Sequence, residues 1–158
     1  MTIDVYTNNE KYNVDAGSVR TIIANIKITS ADAANGDIYR VATLPVDAVI
    51  TRAVIKTTAL TAATDNDLGL YNTDGRGVVD ADILADGQTL ASASKSLDGL
   101  KDVSVANTGK TICDLYKAVN SAGTALDGEK YVDVALTINT ASTANGNISV
   151  EIDYMMGK

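Results

Sequence analysis

The residues of this sequence best suited to chemistry are its aspartates. Asp80, Asp82 and Asp86 stand close together and are followed by Gly87, and hard oxygen ligands of this kind can hold calcium. Their spacing lacks the D-x-[DN]-x-[DN]-G order of a helix-loop-helix calcium loop. We therefore interpret Asp80 as the N-cap of a single helical turn over residues 80–86, and Asp86-Gly87 as a turn.

A second acidic group consists of Asp65 and Asp67 on either side of Asn66, and it is predicted to be a loop. Two carboxylates facing one cleft can hydrolyse a glycosidic bond. The chain has 17 Asp but only three Glu and no Trp, so paired acids arise by chance and no indole platform exists for a sugar ring. A glycosidase is not expected.

Nucleophilic and metal chemistry are limited by what is missing. His is absent and Cys113 is the single cysteine, so no Ser-His-Asp or Cys-His pair and none of the usual zinc clusters can form. Cys113 is predicted to be a small buried hydrophobic residue on a short helix. Residues 74–77 lack a P-loop Lys and the dinucleotide spacing, which leaves a tight turn with Arg76 at its tip. We predict no catalytic residue, no metal site and no cofactor, and hence no enzyme.

The charge balance limits the partners. The net charge is -7 and the isoelectric point about 4.4, with no run of Lys or Arg that could follow a phosphate backbone, so nucleic-acid binding is not expected. No apolar window is long enough to span a bilayer, and residues 1–17 lack the basic and apolar regions of an export signal. Because one cysteine cannot close a disulfide within its own chain, we expect assembly in a reducing cytoplasm.

The elements that must position these residues are strands joined by turns. Val and Ile supply 28 residues, and Asp, Asn and Gly, which favour turns, are abundant. The alternating segments 131–139 and 148–154 are predicted to pair as a hairpin across the loop 140–147. Helical spacing is confined to residues 80–86 and 110–119. The other predicted strands cover residues 20–28, 38–44, 46–57 and 67–72, with a weaker candidate at 103–106 and Pro45 interrupting the ladder at a corner or edge.

These elements predict a mostly β fold, namely an antiparallel β-sandwich that is jelly-roll-like and carries one or two short helices. Residues 1–18 show no comparable periodicity and are predicted to form an N-terminal arm. Residues 19–158 are predicted to form the β-sandwich domain.

Several motifs follow one another along the predicted sandwich. They are G-D-I-Y-R-V from Gly36, then L-P at 44–45, D-L-G-L-Y from Asp67, V-V-D-A-D from Val78 and Y-V-D-V-A-L-T from Tyr131. In this order, which spans residues 18–156, the chain resembles the capsid decoration and head-stabilising proteins of tailed phages. The matched residues are strand cores and turns, so they identify no active site.

The resemblance implies a virion structural protein on the capsid surface, assembled in the host cytoplasm. Such a protein would decorate and stabilise a phage capsid by binding the major capsid protein, as a homo-oligomer (trimer or dimer), without nucleic-acid or membrane partners. The alternative is a receptor- or glycan-binding module of a phage tail fibre or appendage, because a β-sandwich hosts both roles. A hydrolase that uses carboxylates alone ranks below both.

The contact residues of such a protein are expected where the pattern is unusual. Tyr6 and Tyr12 place aromatic rings on the unpatterned arm, where an interface would explain them. Arg76 is a charged turn tip that suits an acidic partner. Asn145 and Asn147 belong to the loop that precedes the last strand. We predict these five residues as interface candidates.

Overall fold

The computed structural model describes residues 2–4, 18–30, 34–73, 77–91, 95–119 and 130–156. These residues form nine strands and one helix. In chain order the elements are β1 (Thr2–Asp4), β2 (Arg20–Ile28), β3 (Asp37–Pro45), β4 (Ala48–Thr57), β5 (Asn66–Asn72), β6 (Val78–Ala85), β7 (Lys95–Asp98), α1 (Ile112–Val119), β8 (Tyr131–Ile138) and β9 (Gly146–Met156).

The strands form two sheets. The four-stranded sheet has the order β2-β9-β4-β7, and the five-stranded sheet has the order β1-β3-β8-β5-β6. Pairings among β2 to β9 are antiparallel, whereas β1 runs parallel to β3. From β2 to β9 the chain changes sheet at every step except between β5 and β6, so its winding is jelly-roll-like. The predicted antiparallel β-sandwich is confirmed.

The hydrophobic core lies between the two sheets. Each inward-facing Val, Leu or Ile side chain that is removed from water contributes about 1.5–3 kcal/mol. In the four-stranded sheet the inward residues of β2 and β9 alternate strictly, as period-2 geometry requires, whereas β4 has a bulge between Ile50 and Arg52. That sheet contributes Ala24, Ile26, Ile28, Ala53, Ile55, Ile148, Val150 and Ile152, and the five-stranded sheet contributes Leu44, Leu68, Leu70, Val132, Val134, Leu136 and Ile138.

The segments with clear periodicity fold as predicted. Strand β2 has the predicted bounds, β3, β4 and β5 differ from theirs by one or two residues, and Pro45 ends β3. Helix α1 starts two residues later than predicted because Thr111 caps it. The Thr111 hydroxyl accepts a hydrogen bond from the amide of Asp114 at 3.2 Å and donates to the Asp114 carboxylate at 3.0 Å, which satisfies a free helix-terminal donor.

The predicted hairpin of the last two strands is wrong. Strand β8 lies between β3 and β5 in the five-stranded sheet, and β9 lies between β2 and β4 in the other sheet. The segment between them therefore crosses from one sheet to the other. Alternation identifies a strand and its buried face, but it does not identify the neighbour with which that strand pairs.

Two further local predictions are wrong, and one strand was missed. Residues 80–86 are not a helical turn, because β6 covers most of them and Asp80 lies opposite Leu70 of β5. Asp80 is thus no helix cap, and its carboxylate accepts a hydrogen bond from the amide of Asp82 at 3.2 Å. Residues 103–106 form no strand, and residues 105–109 are a turn. Strand β7, four residues long, is too short for a periodic signal.

The five-stranded sheet is buried on both faces. In β8, Asp133, Ala135 and Thr137 face away from the core, yet their exposed fractions are only 1%, 0% and 8%. Part of the cover is β6, whose pairing with β5 is irregular and whose backbone at Ala81 lies against Gly69. The outer face of this sheet is therefore shielded from solvent over much of its area, although it carries polar side chains such as Asp133 and Thr137.

No helix in the described parts of the chain has the length and apolar character needed to cross a membrane. At the N-terminus, Thr2–Asp4 adds a short edge strand beside β3, and residues 5–17 lie outside the described residues. The division into an arm and a sandwich domain stays a prediction.

Candidate functional site

Two of the five predicted contact residues lie in the described part of the chain. Tyr6, Tyr12 and Arg76 lie outside the described residues. Asn145 and Asn147 both flank the start of β9, at the end of the loop where they were expected. These two are the only ones of the five whose environment can be described.

Asn145 and Asn147 have different roles. The side-chain oxygen of Asn145 accepts a hydrogen bond from the backbone amide of Ser30 at 2.9 Å, so it fastens the loop to the end of β2. The backbone amide of Asn147 donates to the hydroxyl of Thr58 at 2.8 Å, and the backbone carbonyl of Asn147 accepts from the backbone amide of Thr58 at 3.0 Å. The side chain of Asn147 remains exposed, which makes it the better contact candidate.

Asn147 lines a shallow groove on the outer face of the four-stranded sheet, called here the sheet groove, with a volume of about 450 Å³. One cross-strand row, Asn25–Ser149–Lys56–Ser96, spans all four strands of the sheet. Hydroxyl and amide side chains can both donate and accept hydrogen bonds. The complete lining is Asn25, Lys56, Thr57, Thr58, Ser96, Asn147, Ile148 and Ser149.

An ion-pair network lies beside the sheet groove on the same face. Arg52 donates to Glu151 at 2.5 Å and to Asp153 at 3.2 Å, and Lys56 donates to Glu151 at 3.1 Å. Hydrogen bonds from Arg52 and then Lys56 lower the pKa of Glu151, and those to Glu151 and Asp153 raise the pKa of Arg52. Thr21 adds a hydrogen bond of 2.6 Å to Asp153. The network holds these charged side chains in a fixed pattern on the surface.

The acidic residues regroup in the folded chain. Asp86 was predicted to lie with Asp80 and Asp82, but in the structure it lies beside Asp65 and Asp67. The nearest carboxylate oxygens of Asp65, Asp67 and Asp86 are within 4.8 Å of one another. Partial removal from water and then the charge of Asp67 raise the pKa of Asp86. Neutralising carboxylates held this close lowers their mutual repulsion.

The predicted loop at residues 65–67 is wrong in part, because Asn66 and Asp67 begin β5, and the cluster lies where β5 begins and β6 ends. Asp67 uses both carboxylate oxygens within the protein, since Oδ1 accepts from the amide of Gly87 at 3.0 Å and Oδ2 accepts from the side chain of Asn139. Asp65 and Asp86 are exposed. The two hydrogen bonds hold the Asp67 carboxylate between Gly87 and Asn139, beside the two exposed carboxylates.

The single cysteine of the chain, Cys113, lies on helix α1. Cys113 is partly buried on α1, less deeply than predicted, and its backbone amide donates to the carbonyl of Val46 at 2.8 Å.

Arg40 and Asp133 form an ion pair in which the side chains are 8% and 1% exposed. The Thr43 hydroxyl also donates to Asp133 at 2.6 Å. This buried pair was not predicted, because neither residue differs in sequence from a surface charge.

A second cavity, called here the end pocket, lies at one end of the sandwich and has a volume of about 440 Å³. Its floor is apolar, and its rim includes Lys110, which is the charged residue of the lining. Sequence reasoning missed it because its walls come from five separate stretches of chain. The lining is Val49, Ile50, Thr51, Leu84, Leu100, Val103, Asn107, Thr108, Gly109, Lys110, Leu115 and Met155.

A solved structure shares the fold over the whole chain. It is described as the capsid of Ralstonia phage GP4, and the match covers 100% of this chain and 99% of that one with a TM-score of 0.68 and 16% sequence identity. The two chains have a common fold. A second solved structure, the capsid asymmetric unit of cyanophage Pam1, matches 92% of this chain and 94% of that chain with a TM-score of 0.45 and 20% identity. No family model matches the chain, and no curated protein matches it.

Proposed function

We propose that this chain is a structural protein of a phage virion that decorates and stabilises the capsid by binding the major capsid protein. The observation that carries the proposal is the fold shared along the full length with a chain from the capsid of Ralstonia phage GP4, at a TM-score of 0.68. The motifs of the sequence resemble capsid decoration proteins. The lack of His and of a second Cys agrees with a function based on shape instead of catalysis.

The contact surface in this proposal is the outer face of the four-stranded sheet. That face carries the sheet groove and the ion-pair network, whose side chains are held by neighbours on adjacent strands. A surface that is already ordered loses little side-chain entropy on binding. Asn147 and Lys56 lie in the groove and point outward, so we assign them to the contact.

The physical role follows from mass action. A ligand that binds the assembled shell and not separate subunits stabilises the shell in proportion to the occupied sites. A repeated lattice offers many equivalent sites, so moderate affinity per copy is sufficient where one bound unit bridges neighbouring subunits. No turnover of a substrate is needed for this role.

The test is co-sedimentation of the purified chain with shells assembled from the major capsid protein of the same phage. We expect binding to mature shells with saturable stoichiometry, no binding to free capsid subunits, and a higher melting temperature of decorated shells. Absence from the shell pellet at saturating concentration would overturn the proposal.

A charge reversal locates the contact. Lys56→Glu places a carboxylate in the sheet groove, and Lys117→Glu makes the same change on α1, where the lysine is equally exposed (54% and 53%). We expect Lys56→Glu to weaken shell binding at least about tenfold and Lys117→Glu to leave it unchanged. Equal binding by both variants would assign the contact to another face.

The sheet groove also supports the second candidate, a glycan- or receptor-binding module of a tail appendage. Its row of Asn25, Ser149, Lys56 and Ser96 offers donors and acceptors that suit sugar hydroxyls, although its lining contains no aromatic ring. A glycan array and a whole-cell binding assay separate the two functions. Binding to host cells together with no binding to shells would favour the appendage.

A further inference from the structure

Val105 is the most exposed large hydrophobic residue in the described part of the chain. Its exposed fraction is 94%, whereas Val19, Val78 and Tyr131 are 55%, 54% and 52% exposed. A single exposed apolar side chain is ordinary on a protein surface. The unusual feature here is its position, because the residues that follow it form a wall of the end pocket.

The turn that presents Val105 is held by hydrogen bonds. The amides of Asn107 and Thr108 donate to the carbonyl of Ser104 at 2.8 and 3.0 Å, and the Lys110 side chain donates to the Asn107 side chain at 3.0 Å. Asn107, Thr108 and Lys110 also line the end pocket. An apolar projection and an apolar cavity are therefore carried by one short, ordered segment and share one side of the molecule.

Charge makes this side suitable for contact with another copy of the chain. Each copy has a net charge of -7, so most pairings of two copies are opposed by like-charge repulsion. The end pocket contains Lys110 and no carboxylate among its lining residues. The adjoining stretch carries both signs, with Lys101 next to Asp102. A patch with both signs faces its own copy with less repulsion than the rest of the acidic surface would.

We propose that the end pocket receives Val105 of a second copy, so that two chains pair about a two-fold axis with each Val105 in the partner's pocket. Such a contact is self-complementary, as a two-fold interface must be. One side chain and its turn cover less than the roughly 800 Å² per partner of a standard interface, so the pairing is weak in dilute solution. It becomes effective where copies are concentrated, as they are on a decorated lattice.

This inference does not depend on the proposed function, because two free copies can pair whether or not either binds a shell. The measurement is sedimentation equilibrium of the full chain over a range from low micromolar to near millimolar. We expect the mass to rise from 16.4 kDa toward twice that value as concentration increases. A mass of one chain at every concentration would overturn the proposal.

Three variants identify the contact. Val105→Asp removes the projection, and Thr108→Tyr fills the pocket from an exposed rim position. Both should raise the dissociation constant at least about tenfold, since burial of the two valines is lost. Val19→Asp makes the same charge change at an exposed valine outside the pocket and should have no effect. Loss of pairing in Val19→Asp, or unchanged pairing in either of the others, would show that the contact lies elsewhere.

Salt dependence gives a second readout. Pairing through an apolar contact between two acidic chains should strengthen as salt screens their repulsion. Dissociation on addition of salt would indicate an interface held by ion pairs and would overturn the assignment to Val105 and the end pocket.

Discussion

The two sheets carry the same kind of ion pair in opposite environments. On the four-stranded sheet, Arg52 meets Glu151 at a surface where their side chains are 49% and 20% exposed. On the five-stranded sheet, Arg40 meets Asp133 where the exposed fractions are 8% and 1%. In both sheets the pairs project away from the core of the sandwich. One outer face is thus solvated, and the other is covered.

The difference shows that position in the fold decides what an ion pair does. An exposed pair is screened by water and contributes little to stability. A buried pair gains little net stability from being made, yet the loss of one member is costly because the remaining charge stays in a medium that solvates it poorly. The exposed pair therefore adds little to the stability of the four-stranded sheet, whereas the five-stranded sheet is sensitive to the loss of either charge of its buried pair.

Breaking the buried pair should have the largest effect. Asp133→Ala leaves the guanidinium of Arg40 without its carboxylate and removes the acceptor of Thr43. We expect a loss of about 3–5 kcal/mol in the free energy of unfolding, measured by urea denaturation. A loss as small as that of a surface pair would contradict the contrast between the sheets.

Replacing both members should recover much of that loss. Arg40→Met combined with Asp133→Asn removes the two charges together and keeps side chains of similar volume, so no unpaired charge is buried. We expect the double variant to be more stable than Asp133→Ala alone. If it is equally unstable, packing and not charge accounts for the effect of the single change.

The close approach of β6 to β5 is the next most sensitive point. A Cβ on Gly69 would lie 2.2 Å from the backbone of Asp80 and Ala81, so Gly69→Ala must displace a strand. We expect a loss of about 3 kcal/mol. Gly36→Ala is the control, because a Cβ there meets nothing within 4 Å and adds only the strain of a positive φ of 87°, which costs about 1–2 kcal/mol. Equal losses would mean that β6 can shift without cost.

The surface pair should respond weakly. Glu151→Gln removes the charge that Arg52 and Lys56 share and keeps the shape of the side chain. We expect at most about 1 kcal/mol of lost stability, reduced further by added salt. Thermal unfolding at low and high ionic strength measures both. A loss of stability that is large and independent of salt would mean that this pair is as poorly solvated as the buried pair of Arg40 and Asp133.

The smallest effects are those of pH, and they have opposite signs at two sites. The pKa of Glu151 is lowered in the folded chain, so its stabilisation is present above its ordinary value of 4.5 and is lost as pH falls through the lowered value. The pKa of Asp86 is raised, so its ionised form is unfavourable above that raised value and the cost vanishes on acidification. Glu151→Gln should therefore lose its effect once the pH has fallen below the lowered pKa of Glu151, and Asp86→Asn, slightly stabilising at neutral pH, should lose its gain on acidification.

The parts of the fold that could be predicted are the strands whose sequence alternates without interruption between two sets of residues. In β2 the polar Asn25 and Lys27 alternate with buried Ile26 and Ile28, and period-2 geometry converts that pattern into a strand with a known inner face. In β6 the pattern is interrupted where the strand bulges over Gly69, and the short acidic run was taken for a helical turn. Local pattern gives no sign of an approach by a distant backbone.

The candidate sites were less predictable for the same reason. Asn147 was named from its place in a loop, and the structure puts it on the outer sheet face, but the row that completes the groove joins residues from four strands. The end pocket and the pairing of Arg40 with Asp133 likewise depend on residues far apart in the chain. Contacts between residues that are far apart in the chain cannot be predicted from the pattern of sequence neighbours.

The sequence by itself determined that this is a β-sandwich without histidine and with a single cysteine, because side-chain period and residue inventory are local properties. Only the tertiary structure decided that β8 and β9 lie in different sheets, that the five-stranded sheet is covered on its outer face and that Asp86 joins Asp65 and Asp67. These features arise from the packing of segments that are far apart in the chain. The interactions that stabilise them join residues from different segments, so no single stretch of sequence reveals them.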